Sequence, residues 1–175
     1  MDEKIITIFG SGKANEADGD YKVAFELGTE LAQAGFTIAN GGYGGTMEAA
    51  AKGANRQGGQ VIGVTCRVFG SSANEYVTSR LSTDSLEERL RKLIEIADAF
   101  VVLPGSTGTL LELAKVWEFK NKGFLQADKP VIILGEFWEP LLSLIAAKDS
   151  KSRKYLKVLN SAEEVKNYLL NTFSN

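Results

Sequence analysis

The 175-residue chain contains no histidine. That gap removes histidine-based catalytic triads, histidine metal clusters and imidazole general bases together. Any chemistry falls to carboxylates, Arg, Lys, Tyr, Ser, Thr or backbone dipoles, and no metal or cofactor is expected. Cysteine is nearly missing too: Cys66 stands alone, so no internal disulfide forms and nothing points to an oxidising compartment. Neither sign of charge dominates, with 20 basic against 22 acidic side chains and a formal net charge of −2. Such a balance gives no electrostatic footprint for nucleic acid or an anionic membrane, and neither is expected as a partner. No stretch is apolar for long enough to cross a bilayer. The opening MDEKIITIFGSG carries acidic residues and too short an apolar run for a secretory leader, so a soluble, cytoplasmic protein is expected.

What the chain does have is alternation. Short runs rich in Ile, Val, Phe and Leu at 4–9, 36–39, 60–65, 99–103 and 130–134 read as strands covered on both faces. Helical patterns lie between or after them at 18–34, 44–57, 84–97, 108–122, 137–148 and 162–172. The order predicts one α/β domain over residues 1–175, a doubly wound, Rossmann-like domain with a mainly parallel sheet and helices on both faces. Its length suffices for a core without disulfides or a structural metal. Gly35 and the pair Gly58-Gly59 follow helices as C-terminal caps, and Ser161 with Glu164 reads as a capping box for the last helix. Residues 67–82 form a longer polar connection, a candidate flap.

Ligands of such sheets bind outside the carboxyl ends of the strands. Three of those ends are glycine-rich: Gly10-Ser11-Gly12, then Gly41-Gly42-Tyr43-Gly44-Gly45-Thr46, then Pro104-Gly105-Ser106-Thr107-Gly108-Thr109. One such turn is ordinary; three at one edge predict a site where backbone N–H groups and helix N-termini meet a phosphate. A P-loop is excluded, because Thr7 and Ala14 stand where that motif needs Gly and Ser or Thr. A dinucleotide fingerprint fails as well: GSGKAN lacks the third glycine, and Asn40 replaces the acidic ribose ligand.

Two charged residues belong beside these loops. The helix starting near Asp84 runs antiparallel to the strand after it, which places its first turns at the same edge. Leu86, Leu90, Leu93, Ile94 and Ala97 form its apolar arc, Arg89 flanks that arc, and Glu88, Arg91, Lys92 and Glu95 point away. No acidic side chain stands one turn from Arg89 to pair with it. Glu112 has a plain alternative, since Thr109-Leu110-Leu111-Glu112 matches a capping box. The helix carrying it is apolar nearly all round, with Leu111 and Val116 opposite the sheet-facing Leu110, Leu113, Ala114 and Trp117. That pattern predicts a second subunit packed against it, a homodimer.

At these residues a family pattern emerges. GGYGGTMEAAAKGA with GGQVIGVT, and ERLRKLIEIADAFVVLPGSTGTLLELAKVWEF, resemble the LOG family of nucleoside 5′-monophosphate phosphoribohydrolases. The likeness runs from Ile5 to about Pro130, and its most specific element is PGGxGTxxE, read here from Pro104 to Glu112 with Ser106 in place of the second glycine. The resemblance implies a catalytic carboxylate at Glu112 and a catalytic arginine at Arg89. It further implies phosphate or nucleotide contacts from Gly105, Ser106, Thr107, Gly108 and Thr109, with Gly42, Gly44, Gly45, Thr46, Gly10 and Ser11 lining the rest. The implied reaction is hydrolysis of the N-glycosidic bond of a purine nucleoside 5′-monophosphate to free base and ribose 5-phosphate. GGYGGTMEAAAKGA equally resembles molybdenum-cofactor carrier proteins, for which the same loops would bind a nucleotide or cofactor without turnover.

Overall fold

The structure is a computed structural model that describes residues 3–126 and 128–174. Strands and helices alternate: β1 (Ile5–Phe9), α1 (Gly19–Gln33), β2 (Thr37–Asn40), α2 (Thr46–Arg56), β3 (Val61–Cys66), β4 (Ser79–Thr83), α3 (Leu86–Glu95), β5 (Ala99–Val102), α4 (Thr107–Asn121), β6 (Val131–Leu134), α5 (Glu139–Ala146), β7 (Leu156–Leu159) and α6 (Ala162–Phe173). All strand pairings are parallel, in the order β4-β3-β2-β1-β5-β6-β7.

The five apolar runs are the five inner strands, buried on both faces as their composition requires. β4 and β7 go beyond the expected five. Each closes an edge of the sheet and reads SRLST or LKVL with most side chains at least partly exposed, so neither carries the apolar run by which a covered strand is recognised. The last quarter of the connection read as a flap therefore belongs to β4. What precedes it is a single 3₁₀ turn, Arg67–Phe69, and a loop.

One face of the sheet carries α1, α2 and α6, packed through Ala24, Leu27, Leu31, Ala50 and Val165. The other carries α3, α4 and α5, packed through Leu90, Leu93, Leu113, Trp117 and Leu142. Trp117 and Trp138 are core anchors whose indole N–H groups donate to the Ser152 and Leu103 carbonyls, both at 3.0 Å. Strand order reverses at β1, from which the chain winds outward to β4 and then, through β5, to β7. The crevice of a doubly wound sheet opens at that switch point, so the glycine turns after β1, β2 and β5 meet at neighbouring strand ends.

Candidate functional site

Arg89 is set by the start of α3. Ser85 caps the helix, its Oγ accepting from the Glu88 N–H at 3.1 Å, while Glu88 Oε2 accepts from the Asp84 N–H at 2.8 Å. This capping box escaped the sequence reading, which assigned Glu88 to solvent. One residue on, Arg89 turns inward with only 8% of its side chain exposed. Its Nε donates to the Val64 carbonyl at 2.8 Å, and its Cζ lies 5.6 Å from the Tyr43 ring and 5.7 Å from the Phe69 ring. A Cβ on Gly41 would stand 1.7 Å from Arg89 Nη2, so the guanidinium lies where only a glycine leaves room.

Glu112 faces it from the second turn of α4, Oε1 to Nη1 3.8 Å, with 14% of its side chain exposed. That distance is an ion pair without a hydrogen bond. Burial pushes the Glu112 carboxyl up to about 7, the Arg89 charge offsetting only part of it. The capping-box alternative does not hold. α4 starts at Thr107 with Ser106 as its cap residue, which leaves Thr109 buried inside the first turn.

The pair stands in a cavity of about 280 Å³ whose wall includes Gly10, Gly12, Ser106, Gly108 and Thr109. The first amides of a helix have no acceptor within it, and those of α4 belong to this wall. Gly105 is packed beneath, where a Cβ would stand 2.1 Å from Thr109 Oγ1; Thr107 is exposed at the helix start.

The second glycine loop behaves differently. Gly42, at φ +76°, donates its N–H to Asn40 Oδ1 at 2.8 Å, and the Thr46 N–H donates to the Ser11 carbonyl at 2.8 Å. Gly45 is in van der Waals contact with the Ser11–Gly12 backbone, where a Cβ would lie 2.2 Å from the Ser11 oxygen. Gly42, Gly45 and Thr46 are buried, Gly45 and Thr46 lock this loop to the first, and Gly44 opens onto a neighbouring cavity. The Ser11 hydroxyl accepts from the Lys13 N–H at 3.2 Å.

Sequence reasoning missed Phe69, Met47, Leu86 and Leu111, which share the cavity with Arg89 and Glu112. Phe69 lies in a polar connection with no periodicity to mark it. Tyr43, within the second glycine loop, is half-buried, its hydroxyl held by the Cys66 N–H at 2.8 Å and carbonyl at 3.1 Å. Cys66 itself is buried. Lys52 pairs with Glu16 at 2.5 Å and lies over the Tyr76 ring. Two further grooves lie away from the glycine turns: about 550 Å³ between α3 and α4, and about 360 Å³ between α4 and α5. Among the described residues no helix is long and apolar enough to cross a membrane, and no group of three or more Cys, Asp or Glu is placed to hold a metal.

Comparison with known proteins meets this geometry. Residues 3–166 match the SLOG cluster4 family. The chain is 34% identical over 117 residues to a cytokinin riboside 5′-monophosphate phosphoribohydrolase of Mycobacterium tuberculosis, covering 65% of this chain and 61% of that one, so it spans about three fifths of that relative's length. It is 32% identical over 149 residues to the enzyme of the same description in Arabidopsis thaliana, covering 82% of this chain and 68% of the other. In structure it is similar to the molybdenum cofactor binding protein of Rippkaea orientalis, with a TM-score of 0.81, 25% identity and coverage of 100% and 99% of the two chains. The chain belongs to the SLOG cluster4 family and is homologous to the LOG phosphoribohydrolases.

Proposed function

We propose that the protein hydrolyses the N-glycosidic bond of a purine nucleoside 5′-monophosphate, releasing the base and ribose 5-phosphate. The observation that carries this reading is the buried Arg89–Glu112 pair, 3.8 Å apart, one turn beyond the helix start where a 5′-phosphate would sit. The N-terminal amides of α4, with Ser106 and the Thr109 hydroxyl, hold the phosphate through the helix dipole and hydrogen bonds. That anchor spends remote binding energy on positioning C1′ beside Glu112. As the bond to the base breaks, the sugar ring gains oxocarbenium character, and an ionised carboxylate stabilises the developing positive charge and orients or deprotonates the attacking water. Arg89, pinned by Val64 and flanked by Tyr43 and Phe69, holds the carboxylate in place and favours its ionised form.

A carrier that binds a nucleotide or cofactor without turnover is the second reading, favoured by the likeness to the molybdenum cofactor binding protein. It gives no role to a carboxylate beside the ribose. Incubation with AMP and related monophosphates, following base and ribose 5-phosphate, separates the two. The hydrolase reading expects turnover that Glu112→Gln and Arg89→Ala abolish, with ligand binding surviving in Glu112→Gln; tight binding without turnover supports the carrier.

The proposed active unit is a homodimer built on the α3–α5 face. Leu86, Leu111, Phe124, Phe137, Leu144 and Ile145 are exposed on or beside these helices, whereas Val23 alone is an exposed large apolar residue on α1, α2 and α6 among the described residues. Apolar surface gathered on one face marks an association surface.

A further inference from the structure

The cavity holding Arg89 and Glu112 encloses about 280 Å³, just under the roughly 300–1,000 Å³ of sites that surround a whole small ligand. Beyond it lies a second cavity of about 410 Å³, bounded by Gly44, Glu48, Ser71, Ser72 and Asn74, and the two share Tyr43 and Phe69. Their chemistries differ. The first offers backbone donors and a buried cation, suited to a phosphate. The second offers a carboxylate, which repels a further phosphate and accepts from N–H groups, beside two serine hydroxyls.

Glu48 stands at the third position of α2. Its Oε1 accepts from the Tyr21 hydroxyl at 3.3 Å, and its Oε2 lies on the Gly44 side, 4.0 Å from where a Cβ of that residue would stand. Asn74 is committed elsewhere, donating to the Gly42 and Tyr43 carbonyls at 3.1 and 2.8 Å. The shared wall is aromatic, with Tyr43 and Phe69 ring centroids 5.7 Å apart. The base of the turn that carries Phe69 is tied down, Cys66 to Tyr43 and Arg67 to Asp84. Its tip ends at Gly70, at φ +65°, and leaves Phe69 47% exposed. The rings flank Arg89, which flanks Glu112, so a base leaving C1′ in this direction meets the rings first and the Glu48 cavity next.

We infer that the base of the bound nucleotide stacks on the Tyr43–Phe69 pair and turns its polar edge into the second cavity, where Glu48 accepts hydrogen bonds from its N–H groups. This rests on the nucleotide reading above and narrows it: the ligand carries one phosphate and a base with edge donors. Guanine presents a ring N–H and an amino group side by side, adenine a single amino group, and unsubstituted purine neither. Stacking between aromatic side chains combined with edge recognition is how proteins read an unpaired base.

The test is equilibrium binding of GMP, AMP, purine riboside 5′-monophosphate and ribose 5-phosphate to the full chain by calorimetry. The wild type ranks GMP over AMP over the unsubstituted purine nucleotide, each step about tenfold, the worth of one charge-assisted hydrogen bond. Glu48→Gln keeps the shape and the Tyr21 partner. It weakens AMP about tenfold and GMP more, and leaves the unsubstituted nucleotide and ribose 5-phosphate unchanged. Phe69→Ala weakens all three nucleotides about tenfold and spares ribose 5-phosphate. If Glu48 only complements the α2 dipole, Glu48→Gln shifts stability without reordering the ligands, and the inference falls. It falls equally if the wild type does not discriminate among the three bases, a result that needs no variant to fold. Graded binding without release of base would overturn the hydrolase reading and leave this inference standing; turnover with flat binding would do the reverse.

Discussion

Replacing Glu112 by Gln should stabilise the fold at neutral and alkaline pH while removing activity. Burial raises this carboxyl from its ordinary 4.5 to about 7 in the folded protein, so between those values the folded state binds more protons than the unfolded chain. Stability contributed here falls as pH rises through that window and stays low above it. A difference of two to three pH units corresponds to about 3 kcal/mol of strain carried by the ionised, buried carboxylate. Gln keeps the volume without the charge and relieves that strain. For a chain of this size, each kcal/mol moves Tm by about 2–4 °C, so Glu112→Gln should melt about 6–12 °C higher than wild type at pH 8, with the gap closing to a degree or two near pH 4.5. Thermal unfolding at fixed protein concentration, followed by circular dichroism at both pH values, measures it. Equal melting temperatures at pH 8, or a destabilised variant, would refute the reasoning and mean that Arg89 holds Glu112 ionised at no cost to the fold.

The same titration governs turnover: kcat/KM for the nucleotide should rise with pH and level off above about 7, because the ionised form of Glu112 stabilises the oxocarbenium, and a pH–rate profile flat from 5.5 to 8.5 would remove that role. Gly41→Ala places a methyl 1.7 Å from Arg89 Nη2 and should drive the guanidinium off Glu112, lowering kcat by on the order of 10²-fold while ribose 5-phosphate still binds; unchanged kcat would show that the arginine position is not critical. Leu144→Glu on α5, exposed in the single chain, should convert a dimer to monomers in sedimentation velocity, and an unaltered dimer would place the interface elsewhere.

Periodicity revealed the six helices and five inner strands of the described residues because burial on one face of a helix, or on both faces of a strand, leaves a repeating apolar signal. It passed over β4 and β7 because an edge strand is half solvated: SRLST and LKVL owe their conformation to neighbours β3 and β6 rather than to their own composition. Arg89 was legible for a related reason. Flanking the apolar arc of α3 without an acidic neighbour one turn away, it had to find a partner outside its own helix, and it lies beside Val64 and Glu112. Phe69 and Glu48 were not legible. Phe69 reaches the site from a loop whose path follows from Asn74 and Tyr43, bonds that no spacing encodes, and Glu48 at the third position of a helix looks like an ordinary partner of the dipole.

Glycine content alone treated the turns after β1, β2 and β5 as equivalent, and their hydrogen bonds separate them. A glycine-rich turn cradles an anion only if its amides are unspent. In the β2 turn the Gly42 N–H goes to Asn40 and the Thr46 N–H to Ser11, which leaves fewer of its amides for an anion, and Gly45 serves the close approach of this loop to the first. The α2 N-terminus that follows has a carboxylate, Glu48, in its first turn, a poor neighbour for a second phosphate. The α4 N-terminus has no acidic residue in its first turn, and Ser106, Gly108 and Thr109 line the Arg89–Glu112 cavity. A site with one anion-ready helix start, a carboxylate pair partner beyond it and an acid-lined cavity past an aromatic pair suits a ligand with one phosphate, and disfavours a pyrophosphate-bridged dinucleotide on charge alone.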